Sequence, residues 1–169
     1  MVTGTVLTRE ETIVVGIGEI KVAQFPVPVL ACIGLGSCVA VCAYDYTTKI
    51  GGIAHVVLPS SSGREVVGIP KYADIAVPRL ISEIVQKGGF ISRIAVKIAG
   101  GAQMSFAPGI KDAFKTGERN VEGVVNALER LNVSIAAAET GGNKGRTVHM
   151  YLETGKITVR STGGDNRQL

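Results

Sequence analysis

Cys38 and His55 are the two residues of this sequence whose types and surroundings fit covalent catalysis. Cys38 follows the glycine-rich segment 34–37, where the backbone can turn sharply and approach a ligand closely. A cysteine attacks as its thiolate, so it needs a basic or cationic neighbour that accepts the proton. His55 lies among aliphatic residues, where an imidazole has a desolvation cost unless a partner satisfies it. The two residues predict a nucleophile and its general base.

The turn before Cys38 also offers hydrogen-bond donors to a reaction intermediate. Successive amide N–H groups in this turn can form an anion-binding concavity. Acyl transfer develops negative charge on the carbonyl oxygen of the substrate, and such donors stabilise that charge. We therefore expect Gly36 and Ser37 to contribute to an oxyanion hole.

Two predicted strands, 39–44 and 50–57, must bring Cys38 and His55 together. Both segments are rich in β-branched and other apolar residues, and the segment between them suits a hairpin turn. Cys38 lies about nine residues before the turn centre near Thr47, and His55 lies about eight residues after it. Antiparallel pairing is therefore expected to place the two residues almost opposite each other.

Two other interpretations of these residues stay open at this level. A cysteine in an apolar strand usually serves packing, and a histidine near the core is usually a satisfied structural residue. A metal site with Cys32, Cys38 and Cys42 is the other alternative, but Cys38 and Cys42 on one extended strand would lie about 13 Å apart at ~3.3 Å per residue. Zinc lies only about 2.3 Å from each ligating sulfur, so the spacing argues against it. We predict neither a metal nor a cofactor.

Length and composition indicate one domain with its own apolar core. The chain has 169 residues, of which 46% are hydrophobic. We assign residues 1–161 to a single domain and residues 162–169 to a flexible, polar tail. The net charge of +4 comes from scattered basic residues, and few aromatic side chains are available for stacking bases. The composition therefore gives little support to a nucleic-acid partner.

The sequence carries no recognisable secretory signal, and its longest uncharged segment does not suit a membrane span. Residues 22–44 lack charge and are long enough to cross a bilayer, but prolines and glycines interrupt them. Two buried strands joined by a turn fit this segment better. Three cysteines crowded into one short segment do not suit a disulfide framework. We expect reduced thiols, no membrane insertion and a cytoplasmic location.

Short β-branched runs dominate the rest of the chain. Further strands are predicted at 12–17, 29–33, 91–99, 134–138, 146–153 and 156–160. Apolar residues recur at helical spacing over 72–87 and 117–131, so each of these segments is expected to lay one helix face on a sheet. The elements do not alternate strictly. The predicted fold class is therefore α+β, with layered, sandwich-like mixed sheets and two main helices packed outside.

Eight motifs follow one another along nearly the whole chain, and their combination is specific although no single motif is. They are Gly16-Ile-Gly-Glu19, Gly34-Leu-Gly-Ser-Cys-Val-Ala-Val41, Ala54-His-Val-Val-Leu-Pro59, Lys71-Tyr-Ala-Asp74, Lys97-Ile-Ala-Gly-Gly-Ala102, Gly117-Glu-Arg-Asn-Val121, Glu139-Thr-Gly-Gly-Asn143 and Glu153-Thr-Gly-Lys156. In this order they resemble the CheD family of chemoreceptor glutamine deamidases.

The resemblance implies a cysteine-dependent protein-glutamine amidohydrolase. Cys38 would attack the side-chain amide of a glutamine on a chemoreceptor's cytoplasmic helices, and His55 would accept the thiol proton and later protonate ammonia. Water would hydrolyse the thioester to glutamate, and receptor glutamate methyl esters are a further implied substrate. The resemblance also implies a fold like that of bacterial deamidating toxins and a CheC-type phosphatase as a partner.

One position departs from the family pattern. The family commonly places a threonine, as a third catalytic member, six residues before the cysteine, and here that position is Cys32. A thiol is a weaker hydrogen-bonding group than a hydroxyl. Cys32 is therefore a candidate orienter of His55, with a backbone carbonyl as the alternative. The departure also leaves a second function open, a regulatory module that binds CheC or a related adaptor with weak or lost catalysis.

A few further residues are candidate contacts for a substrate or partner. Gly100 and Gly101 end an apolar strand and would let a substrate helix approach, with an ordinary turn as the alternative. Phe106 and Phe114 lie in a segment that contains glycine and proline, and they either mark a docking surface or pack this segment onto the protein's own core. Arg119 and Asn120 lie in the predicted first turn of the second helix, where they either position a loop or the receptor or are solvated.

Overall fold

The computed structural model describes residues 11–65, 68–104 and 115–169. These residues form ten strands, two α-helices and one short 3₁₀ turn at Ile91–Arg93. The strands are β1 (Thr12–Val14), β2 (Ile20–Gln24), β3 (Val29–Leu35), β4 (Val39–Asp45), β5 (Ile50–Val56), β6 (Ile94–Gly100), β7 (Ile135–Thr140), β8 (Arg146–Tyr151), β9 (Lys156–Ser161) and β10 (Asn166–Gln168). The helices are α1 (Ala73–Gln86) and α2 (Thr116–Arg130).

The strands form two mixed sheets of five strands each. The central sheet has the order β2-β5-β4-β6-β7, and the outer sheet has the order β1-β3-β8-β9-β10. In the central sheet β4 runs antiparallel to both β5 and β6, whereas β6 and β7 are parallel. In the outer sheet only the β1–β3 pair is parallel among the described strands. The predicted α+β class with layered mixed sheets is confirmed.

The central sheet lies between the helices and the outer sheet, so the protein has three layers. On one face of β4, Val39 and Val41 pack with residues of both helices. On the other face, Ala40 and Cys42 pack with residues of the outer sheet such as Met150. Every residue of β4 and β5 is consequently buried, which explains why these segments lack the alternation of a half-exposed strand.

Both helices bury an apolar stripe against the central sheet, as the spacing of their residues predicts. Leu80 and Ile84 of α1 and Val124 and Leu128 of α2 lie in the core between helices and sheet. Each helix begins and ends within one residue of its predicted bounds, and α1 continues through Pro78. In the described ranges, neither helix combines the length and the apolar character that a bilayer crossing requires.

The segment 162–169, for which we expected a flexible tail, contains a short strand in the structure. Residues 166–168 form β10, which pairs antiparallel with β9. Lys97 Nζ donates a hydrogen bond to the main-chain oxygen of Leu169 at 2.7 Å, which ties the tail to the central sheet. The side chains of β10 are exposed, so its order comes from backbone pairing that a polar sequence does not reveal. The edge strand β2 was also missed, because Gln24 interrupts the apolar–polar alternation of a half-buried strand.

A buried carboxylate holds the end of β4 that is remote from Cys38. Asp45 is fully buried and accepts hydrogen bonds from the Arg93 guanidinium at 2.9 Å and from the amides of Thr47 and Phe90 at 2.9 and 3.1 Å. Burial alone would raise the pKa of Asp45, but Arg93 and the backbone donors together hold that pKa well below its ordinary value of 3.8. The carboxylate therefore joins β4 to the segment that precedes β6.

We predict that Asp45→Ala lowers the free energy of unfolding by about 3 kcal/mol at pH 7, because buried donors lose their acceptor. The carboxyl is more acidic in the folded chain than in the unfolded one, so its stabilising effect is present above pH 3.8 and is lost as pH falls below that value. Urea denaturation at several pH values measures both effects. Arg79→Ala is the control, because it breaks only the exposed pair with Glu83 and should cost less than about 0.5 kcal/mol. A loss for Asp45→Ala no larger than that of the control would contradict the prediction.

Candidate active site

Cys38 and His55 lie at the same end of the β4–β5 hairpin and on the same face. Cys38 directly precedes β4, and Ala40 is the cross-strand partner of His55. Alternate side chains of a strand share a face, so Cys38 and Ala40 both point with His55 toward the outer sheet. There Cys38 packs against the buried apolar residues that lie between the two sheets. Cys38 and His55 are thus diagonal neighbours, about 7–8 Å apart in Cα position for such a pair. The predicted hairpin is confirmed, but Cys38 and His55 are diagonal neighbours and not directly opposite residues.

The imidazole of His55 is buried and has a single backbone partner. Its Nδ1 lies 3.4 Å from the carbonyl oxygen of Val15, and the ring is 2% exposed. The main chain of His55 also bonds the turn between β1 and β2, donating to Glu19 at 2.9 Å and accepting from Gly18 at 3.1 Å. Nε2 has no hydrogen-bond partner within the described residues. One ring nitrogen is therefore held and the other is available.

Burial keeps both groups of the pair neutral at rest. Burial lowers the pKa of His55 below its ordinary 6.5, although the Val15 carbonyl and the charge of Glu19 act in the opposite direction. Burial also raises the pKa of the half-buried Cys38 thiol above 9.0, and the amide of Cys38 itself partly opposes this rise. At neutral pH the proton therefore stays on sulfur while the imidazole is a free base.

Cys32 lies against the same carbonyl that holds His55. Its Sγ is 3.6 Å from the Val15 carbonyl oxygen, and the side chain is fully buried in β3. Burial, with a smaller effect from the thiols of Cys42 and Cys38, raises the pKa of Cys32 far above the ordinary value. Of the two alternatives that the sequence left open, the backbone carbonyl is the one in contact with the ring, whereas Cys32 contacts that carbonyl and not the imidazole.

The cysteines are not arranged around a metal. All three are free thiols, and Cys42 is buried with its pKa raised to about 12 by desolvation. In the part of the chain that the structure describes, no group of three His, Cys, Asp or Glu side chains could hold a metal ion.

Hydrogen bonds from two neighbouring segments hold the turn that precedes Cys38. The amides of residues 101–102, just after β6, donate to the carbonyl oxygens of Cys38 and Gly36 at 2.8 and 2.9 Å. The side chain of Asn120 donates to the Ser37 carbonyl oxygen at 2.9 Å. The amide of Ser37 donates to no backbone acceptor among the described residues, and the amide of Cys38 acts on its own thiol.

Asn120 is a positioning residue, which is one of the two alternatives that the sequence left open for it. The other alternative, a solvated side chain, is wrong, since Asn120 is fully buried where the first turns of α2 pack on the site. Its Nδ2 donates to the carbonyl oxygens of Ser37 and Val57, both at 2.9 Å, which ties the cysteine turn to the chain that leaves β5. Gly117, one turn earlier on the same helix face, permits this approach because a Cβ there would overlap the neighbouring backbone. The sequence signal for this role was a glycine and a side-chain amide, Gly117 and Asn120, on a helix face that is otherwise apolar.

Gly100 and Gly101 support Cys38 from the side of β6. Gly100 has φ +117°, and a Cβ at this residue would overlap the carbonyl oxygen of Cys38. Both glycines are buried against the protein's own backbone, which argues against the substrate contact that we expected for them. Phe106 and Phe114 lie outside the described residues, so their docking role stays a prediction.

The chain is similar over most of its length to proteins of one family. A family model described as "CheD chemotactic sensory transduction" matches residues 57–161. The "Chemoreceptor glutamine deamidase CheD" of Thermotoga maritima is 45% identical over 152 residues, which cover 89% of this chain and 92% of that protein. The chain belongs to the CheD family. The "Probable chemoreceptor glutamine deamidase CheD" of Symbiobacterium thermophilum is 43% identical over 157 residues, or 92% of this chain and 95% of that protein.

The relatives extend the CheD similarity across the candidate site. The family model begins two residues after His55, so by itself it does not include the cysteine turn. An alignment that covers 89% of a 169-residue chain necessarily contains both Cys38 and His55. A relative from Geobacillus kaustophilus, 37% identical over 166 residues, covers 96% of this chain and its own whole length. The site of this CheD protein therefore lies within the region that the relatives share.

For this CheD protein we predict that Asn120→Ala loosens the turn that carries Cys38. The change removes two buried hydrogen bonds, so the free energy of unfolding should fall by about 2 kcal/mol. Amide hydrogen exchange of the peptide that contains Gly101 and Ala102 should become faster, because these amides bond the carbonyl groups of a turn that has lost its link to α2. Arg119→Ala, at the exposed neighbouring position of α2, is the matched control. Unchanged exchange of this peptide in Asn120→Ala would contradict the positioning role.

Proposed function

We propose that this protein is a chemoreceptor glutamine deamidase in which Cys38 is the nucleophile and His55 is the general base and acid. The observation that carries the proposal is the state of His55. Its ring is buried, on the face of the hairpin that Cys38 shares, with Nδ1 at the Val15 carbonyl and Nε2 without a partner. The names of the relatives, chemoreceptor glutamine deamidases, support the substrate and the reaction.

The contact between Val15 and His55 selects the tautomer that the reaction needs. A carbonyl oxygen only accepts hydrogen bonds, so Nδ1 carries the ring proton and donates it to Val15. The lone pair then lies on Nε2, which can accept the proton of the Cys38 thiol. Because the pKa of His55 is lowered, this nitrogen is unprotonated at neutral pH and ready to act as a base.

The reaction proceeds as two acyl-transfer steps. Cys38 Sγ attacks the side-chain carbonyl carbon of a receptor glutamine while its proton passes to His55 Nε2. The tetrahedral intermediate collapses as the carbon–nitrogen bond breaks, and the imidazolium protonates the departing ammonia. Water, deprotonated by His55, then attacks the thioester, which releases glutamate and restores the thiol. A glutamate methyl ester would follow the same route with methanol as the leaving group.

The amides of Ser37 and Cys38 supply the oxyanion hole. They lie in the turn that leads into the nucleophile, where the Ser37 amide has no backbone acceptor among the described residues and the Cys38 amide lies against its own sulfur. The carbonyl groups of this turn are held by residues 101–102 and by Asn120, so the amides keep their orientation when charge develops on the substrate oxygen. The Gly36 position before them adds no side chain that would cover the opening.

The proposal also includes a partner and a cellular location. Binding of a CheC-type phosphatase and action in the cytoplasm rest on the family resemblance alone. Cys32 acts on His55 only through the Val15 carbonyl, because its thiol bonds that oxygen and not the ring. Its presence in place of threonine favours the second candidate, a regulatory binding module with weak catalysis.

Deamidation of a chemoreceptor cytoplasmic fragment tests the proposal directly. Incubation with the parent protein should raise the mass of receptor glutamine peptides by about one mass unit, and Cys38→Ala should abolish the change. His55→Ala should lower the rate by about 10²-fold or more, because the thiol loses its base. Cys42→Ala removes another thiol from the same face of β4 and should retain activity. No mass change with folded parent protein would favour the binding module.

The pH dependence of the two groups should separate a neutral pair from an ion pair. Deamidation should rise with pH as His55 loses its proton, with a midpoint below 6.5, and stay level through neutral pH. Alkylation of Cys38 by iodoacetamide follows the thiolate, so it should stay slow at pH 6–8 and rise only toward pH 9 and above. Rapid alkylation near pH 6 would instead indicate a thiolate–imidazolium pair and contradict the neutral resting state.

A further inference from the structure

Two exposed isoleucines flank a buried glycine at the catalytic end of the protein. Ile17 is 71% exposed and Ile69 is 60% exposed, whereas Gly18 between them is buried. A Cβ on Gly18 would lie 2.5 Å from Cγ2 of Ile69, so this isoleucine packs directly over the turn between β1 and β2. Burial of side chains of this size by a partner is favourable, because it removes apolar surface from water.

These isoleucines line a groove beside the end of β5 that carries His55. The groove has a volume of about 640 Å³, and its lining includes Ile17, Gly18, Val57 and Ile69. Gly18 donates a hydrogen bond to the carbonyl oxygen of His55 at 3.1 Å, so the groove wall is bonded to the general base. Val56 pairs across the strands with Val39, the residue that follows Cys38. Val57 is the next residue along the chain and therefore lies beside the nucleophile.

We infer that this groove binds apolar side chains of the receptor helix that carries the target glutamine. The inference rests on the proposed function and assigns a substrate-docking role to Ile17 and Ile69. On a helix, residues three and four positions apart lie about 5–6 Å from each other on one face. When the glutamine side chain enters at Cys38, an apolar neighbour one turn away can therefore occupy the adjoining groove.

The charges of the groove fit the polar flank of such a helix. Arg64 and Lys71 line the groove with one acidic residue, Glu65, and all three are exposed. The excess of positive charge favours acidic residues beside the apolar stripe of the bound helix. The occupant is thus an amphipathic helix with acidic flanks, docked through its apolar face.

Binding of a receptor cytoplasmic fragment to the Cys38→Ala protein tests the groove without relying on turnover. Adding Ile17→Ser and Ile69→Ser together should raise the Kd by about tenfold or more, because two apolar contacts are lost. Both side chains are exposed, so the fold should persist. In the active protein, the same pair should lower kcat/KM for the receptor while iodoacetamide alkylates Cys38 at the parental rate.

Ile91→Ser is the matched control. This isoleucine is 48% exposed and follows Phe90, whose amide donates a hydrogen bond to Asp45. Asp45 ends β4 and lies about 20 Å from Cys38 at ~3.3 Å per residue, so Ile91 is remote from the site. It should change the Kd by no more than about twofold.

The outcomes separate the groove from the proposed chemistry. A weakened Kd in the groove variant supports docking even if the active parent fails to deamidate the fragment, which would refute only the proposed function. An unchanged Kd in the groove variant, or no binding by the Cys38→Ala protein, overturns the inference. A parent dimer that the groove substitutions dissociate in sedimentation, with the receptor Kd unaffected, would assign the groove to a second copy and also overturn it.

Discussion

The hydrogen bond between the Val15 carbonyl and Nδ1 of His55 is the contact on which the site depends. A buried imidazole without it would leave two ring nitrogens unpartnered, at a considerable desolvation cost. With it, the ring has one fixed tautomer and one available lone pair. Val15 also donates to Ala31 of the outer sheet at 2.8 Å, so the contact joins the outer sheet to the central sheet beside the nucleophile.

The rest of the frame keeps the cysteine turn in register with that histidine. Asn120 ties the turn to the chain leaving β5, and Gly100 lets β6 lie directly against Cys38. At the far end of β4, Asp45 joins the strand to the segment before β6 through buried hydrogen bonds. Because both ends of β4 are held, the amides of the turn before Cys38 are oriented before a substrate arrives. Electrostatic stabilisation of an oxyanion requires such preorganised donors.

Burial gives the site a particular resting state. Burial raises the pKa of Cys38 and lowers that of His55. The proton therefore stays on the Cys38 sulfur until the imidazole accepts it as the sulfur attacks the substrate. A protonated thiol reacts slowly with oxidants and alkylating agents, since the thiolate is the reactive form. Cys32 and Cys42 are buried more completely and are correspondingly less acidic. The three thiols can thus remain reduced although they are close in sequence.

The sequence by itself determined the hairpin and its two reactive residues, because antiparallel register follows from counting residues on either side of a short turn. Apolar spacing likewise determined both helices and, with the strands, the α+β class. Only the tertiary structure decided the Val15 contact and the burial of Asn120, whose partners lie 40 and 83 residues away. It also decided the pairing of β10. Local patterns record which side chains prefer burial, but they do not record which distant carbonyl a buried polar group will meet, and that depends on how the layers pack.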